Sequence, residues 1–118
     1  MSYISVQWDV APALERLNLS NSKIKEVVMK TATTWKFLGV SEVQERTPVR
    51  TGALRRGYDE ASTVTPTDKG AEIVFQSNVD YQPYVEARKP HLRPGVHASI
   101  PAAKQAFEDA VKEAVRSD

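Results

Sequence analysis

The chain has 118 residues, 41% of them hydrophobic and 26% charged, with a formal net charge of +1 and no cysteine. That size suits one domain with a core of its own, the composition excludes disorder, and the missing thiols exclude a disulfide framework, a thiolate metal site and a cysteine nucleophile. The balanced charge offers no bulk attraction to nucleic acid, so any basic partner surface has to be local. The segment from Met1 to Asp9 lacks the basic and apolar regions of a signal peptide, and no run approaches membrane-spanning length. The expectation is a single domain, 1–118, made in a cytoplasm-like setting, with no membrane partner, no internal repeat and no linker.

Taken in chain order, Ile4, Val6, Trp8 and Val10 alternate with Ser5, Gln7 and Asp9, which predicts a half-buried first strand. Pro12 suits a first helical turn, and Leu14 and Leu17 lie three apart, so a short helix is expected within Ala11 to Leu19. Ser20, Asn21 and Ser22 are candidate N-caps. Ile24, Val27, Val28, Thr31, Trp35 and Leu38 then recur at steps of three or four and predict a long helix. Gly39, followed by the capping-box spacing of Ser41 to Gln44, predicts a kink or restart before Arg46, and Pro48 ends the helix with Thr47 extended. Thr47 to Arg55 reads as a rigid corner in which Gly52 supplies a positive φ.

Beyond the corner, Tyr58 to Thr65 and Ala71 to Ser77 are rich in strand formers and are joined by turn residues, Pro66 to Gly70, predicting a hairpin with Ile73 and Phe75 on its core face. Pro83 favours a helical turn within Asn78 to Glu86, from which Tyr81 and Tyr84 project. Residues 87 to 98 look like an extended basic loop. A final helix is expected from Ser99 as cap and Pro101 in its first turn, with Ile100, Ala103, Phe107, Val111 and Ala114 on the face that packs on the sheet. The whole is α+β: an antiparallel sheet packed against a long N-terminal helix and a C-terminal helix, since no β-α-β alternation argues for a parallel sheet.

Three stretches in this order carry a resemblance: Thr47-Pro48-Val49-Arg50-Thr51-Gly52-Ala53-Leu54-Arg55-Arg56, then Asn78-Val79-Asp80-Tyr81-Gln82-Pro83-Tyr84-Val85-Glu86, then Leu92-Arg93-Pro94. Together they resemble the HK97 gp10-like family of tailed-phage proteins over roughly residues 20 to 115. The resemblance implies a structural virion component, made in the host cytoplasm, that sits at the neck or the head-proximal tail end. It implies a homo-oligomeric ring that meets connector or stopper and tail-tube proteins, with DNA passing nearby and no enzyme activity. The family usually places an aromatic residue and then glycine after the glutamate, whereas Glu86 is followed here by Ala87-Arg88-Lys89, so the loop after it is expected to differ.

The candidate interface residues are Thr51, Gly52, Arg55, Tyr81, Tyr84, Glu86 and Arg88. Each has a plainer reading: the Thr51-Gly52 step as chain geometry, the two tyrosines as core, Glu86 as a solvated charge instead of a partner for Arg55, Arg56 or Arg88 across subunits. The rival function is nucleic-acid binding through the basic clusters at 46–56 (Arg46, Arg50, Arg55, Arg56) and 88–93 (Arg88, Lys89, His91, Arg93), although neither cluster interleaves aromatic residues. Catalysis has little to stand on. His91 and His97 are six apart, not the four that sets two imidazoles on one helix face, and neither a HExxH, a Gly-x-Ser-x-Gly nor a phosphate-cradling glycine loop occurs. No catalytic residue, metal or cofactor is expected.

Overall fold

The computed structural model describes residues 3–48 and 52–116. Strand β1 (Ile4–Trp8) leads into a short helix α1 (Ala11–Glu15), ended by Asn18 in the left-handed region at φ 58°. Of the leucine pair expected there, Leu14 is buried and Leu17 is exposed. The long helix α2 (Asn21–Arg46) is capped by the Ser20 hydroxyl, which accepts the Lys23 N–H at 3.2 Å. Helix α3 (Gly52–Ala61) follows, then strands β2 (Thr63–Thr67) and β3 (Gly70–Phe75), helix α4 (Gln82–Arg88) and helix α5 (Leu92–Arg116).

The architecture is the α+β arrangement expected: an antiparallel sheet in the order β1-β3-β2, with the long helices packed against it. In register, Ile4 faces Phe75, Val6 faces Ile73 and Trp8 faces Ala71. Ile73 and Phe75 point into the core as the alternation requires, while Ser5, Gln7 and Glu72 share the other face, where Glu72 accepts hydrogen bonds from Ser5 (3.0 Å) and Gln7 (2.7 Å). Helix α2 lies under β3 and β2, and α5 runs alongside α2 and reaches the sheet through Phe107 against Trp8. With neighbours on two sides, α2 buries Ile24, Val27, Val28, Ala32, Val40 and Val43, a fully buried valine or isoleucine side chain contributing about 1.5–3 kcal/mol.

Several expectations are corrected. Helix α2 runs unbroken through Gly39. Glycine is required there because a Cβ would enter the ring of Phe75, so the residue serves helix-to-sheet contact and not a kink. Gly95 plays the same part between the helices, where a Cβ would lie 2.6 Å from the Val43 Cα. Thr47 is extended as expected (φ −73°, ψ 134°), but Gly52 has no positive φ and opens α3, and Val49, Arg50 and Thr51 lie outside the described residues. Residues 58–61 are helical, not strand: Leu54 and Tyr58, four apart, are buried in α3 together with Gly57, and the hairpin starts at Thr63 with Asp68 and Lys69 alone in its turn.

The largest difference is at α5. It begins at Leu92, seven residues before Ser99, and carries Pro101 in its interior. Proline removes a hydrogen bond to the carbonyl of His97, and His97 is exposed, so water can take that carbonyl. Ser99 is a buried link between helices: its hydroxyl donates to the Val96 carbonyl (2.6 Å) and accepts the Trp35 indole N–H (3.1 Å). Along α5 the buried positions include Val96, Ala103, Ala110 and Ala114, while Ile100 is exposed.

Candidate assembly interface

Helix α4 is short, and its two sides have opposite character. Tyr81 at its N-cap, Tyr84 and Arg88 recur at helical spacing on the outward side, with Tyr81 40% and Tyr84 74% exposed. Gln82 and Glu86, four apart, turn inward, and Gln82 is fully buried. Pro83 sits in the first turn, where a missing N–H is harmless.

The inward side joins a polar network that ties α4 to α3 and α5. The Gln82 amide donates to the Tyr58 hydroxyl (2.9 Å), which lies 2.6 Å from Nε2 of His91. His91 Nδ1 faces two acceptors, the Lys89 carbonyl at 2.8 Å and Glu86 Oε1 at 3.1 Å, so it carries the proton and Nε2 accepts from Tyr58. Burial holds the Tyr58 phenol far above its usual 10.0, the Gln82 hydrogen bond opposing and the nearby Glu86 charge reinforcing that shift, so it remains a donor. The same Glu86 oxygen accepts the backbone N–H groups of His91 (3.0 Å) and Leu92 (2.9 Å). These open α5, so a carboxylate sits where both the unpaired donors and the helix dipole favour it.

The residues singled out from sequence therefore divide. Tyr81, Tyr84 and Arg88 form one exposed surface; Thr51 lies outside the described residues; Gly52 and Arg55 belong to α3, where the Arg55 carbonyl accepts the Gln44 side chain at 2.8 Å. Glu86 is not a solvated charge, because its carboxylate is engaged within the chain. Of the basic cluster at 88–93, His91 is wholly buried and faces no solvent, and in the 46–56 cluster Arg46 pairs with Glu42 at 2.6 Å. Tyr58, Gln82 and His91 escaped the sequence reading as members of one network. Their signal was the four-residue spacing of Gln82 and Glu86 beside a proline, which marks a helix face and not a loop.

Among the described residues no three of His, Cys, Asp and Glu converge as a metal site, and no helix is long and apolar enough to cross a membrane. No family model, curated protein or solved structure matches the chain.

Proposed function

We propose that this chain is a structural subunit of a tailed-phage particle, working in head-tail joining or tail completion as one member of a homo-oligomeric ring. Its seat is the neck or head-proximal tail end of the virion, between connector or stopper and tail-tube proteins, with DNA passing by and no chemistry to perform. The observation that carries this reading is the outward tyrosine pair on α4. Tyrosine offers a large rigid contact area with a polar tip, and interfaces are enriched in it. Here two such side chains stand in solvent on a helix whose opposite side is pinned by Gln82 and Glu86, so docking them costs little ordering entropy. The motif series that resembles the HK97 gp10-like family runs through this same helix.

Light scattering of the purified chain, alone and mixed with its connector and tail-tube partners, tests the proposal. A ring-sized mass is expected in at least the mixture, and Tyr84→Ala is expected to weaken assembly by about tenfold or more with an unchanged circular dichroism spectrum. A monomer under every condition would overturn it. The rival nucleic-acid reading has less to draw on, since His91 is inside the protein and Arg46 is paired.

A further inference from the structure

The two edges of the sheet are not equivalent. On β2 the edge carries Pro66, which has no N–H to offer a further strand. On β1 the residues Ile4 to Trp8 contain no proline, glycine or charge, none of the devices that usually blunt an edge, and among the described residues the strand pairs on one side alone, with β3. At the Trp8 end of that open edge lies the flank of α5. Trp8 meets Trp35 edge-on at 6.2 Å and Phe107 at 5.2 Å, and with Ile100 and Lys104 they border an open, almost wholly apolar groove of about 230 Å³. Ile100 is 44% exposed there, and the buried hydroxyl of Thr31, also lining the groove, has no hydrogen-bond partner.

We propose that the slot beside β1 is a docking site for one extended segment of an assembly partner, added as a fourth strand over α5. The segment is aliphatic at alternate positions, to fill the aromatic groove, and carries a carboxylate where it passes Lys104. Backbone pairing with β1 supplies the affinity and the groove supplies the selection. A second copy of the chain is the poorer occupant: its β2 edge carries Pro66, which has no N–H to offer β1, and neither Ile4 to Trp8 nor Thr63 to Thr67 holds a carboxylate for Lys104. The inference goes beyond the ring reading and does not depend on the tyrosine surface of α4.

A synthetic probe, the capped peptide Val-Thr-Val-Thr-Val-Asp, tests the site by tryptophan fluorescence and by amide hydrogen exchange. Binding is expected to shift the emission of Trp8 and Trp35 and to slow exchange at alternate amides of β1. Methylating alternate amide nitrogens of the peptide is expected to weaken it by about tenfold or more, the loss of one or two net hydrogen bonds. Exchanging its aspartate for lysine is expected to weaken it about threefold, and Lys104→Glu to reverse that preference. Ile100→Asp, at an exposed position, is expected to abolish binding with the fold retained. Equal binding of the methylated peptide would reduce the site to a nonspecific apolar groove, and no binding at millimolar peptide would remove it. A peptide-free dimer that dissociates on Ile100→Asp would assign the slot to a second copy. Each of these three results overturns the proposal, and none bears on ring formation through α4.

Discussion

Where α5 begins, a phenol, an imidazole, an amide and a carboxylate meet in the interior; near its middle, two indoles and a phenyl ring meet edge-on at a groove. Both clusters fasten α5 to the rest of the chain, but they respond differently to damage. In the polar cluster each group depends on its neighbour, because a buried donor or acceptor that loses its partner keeps its full desolvation penalty. In the aromatic cluster the contacts are nondirectional and partly open to water, so a loss is graded. A unique arrangement is therefore fixed mainly at the start of α5, around α4, while the middle of the helix can adjust to a visitor.

The strongest way to break the contrast is Tyr58→Phe. It leaves His91 Nε2 and the Gln82 amide without partners, and a loss of about 2–4 kcal/mol is expected in urea unfolding, far more than one hydroxyl would cost at the surface. Changing Tyr58, His91 and Gln82 together to apolar residues of similar size is expected to recover much of it. The phenol also sets a pH limit. Its folded pKa is raised, so its contribution is complete below the unfolded value of 10.0 and is lost as pH climbs above that; its phenolate absorbance should appear only with unfolding.

Glu86→Ala comes next. Two N–H groups at the head of α5 lose their acceptor, and about 1–2 kcal/mol is expected, with most of it restored by Gln, which keeps an acceptor oxygen. Ser99→Ala, at the aromatic cluster, is expected to cost about 1 kcal/mol or less in the same assay, since the half-buried Trp35 indole can turn to water. Smallest of all is Lys30→Ala. Lys30 holds the Glu113 carboxyl below its usual range through a 2.9 Å pair, a contribution present above the unfolded carboxylate pKa and lost as pH falls. Both groups are in solvent, and no measurable change in stability is expected in physiological salt.

Sequence and structure agree where periodicity is regular. The steps from Ile24 to Leu38 announce α2, the alternation from Ile4 to Trp8 announces β1, and Ile73 and Phe75 mark the buried face of the hairpin. Agreement fails where a residue acts at long range. Gly39 reads as a helix breaker until the ring of Phe75 occupies the space a Cβ would need. Pro101 and Ser99 read as a helix start, and tertiary packing overrides them because Ser99 is spent on Trp35 and His97, whose carbonyl loses its partner to Pro101, is an exposed residue. Helix α3 was hidden by Gly57 and by the strand-forming Tyr58, although Leu54 and Tyr58 already shared a helical face. At α4 the exposed tyrosines were legible as projecting side chains; the inward turn of Glu86 was not, because its partners are the backbone of a helix whose true start was misplaced.

The register of β1 also has a consequence for how the chain is made. Ile4 pairs with Phe75 and Trp8 with Ala71, so β1, made before the other two strands, has no partner until more than 60 further residues have been added. At about 5–20 residues per second that wait lasts roughly 3–13 seconds. An uncharged, alternating strand is exposed throughout it, and closing the sheet joins strands more than 60 residues apart in sequence. Slowing translation should therefore lower the yield of native protein more than deleting a surface ion pair would, because synthesis time is also the time an unpaired β1 spends open to other chains.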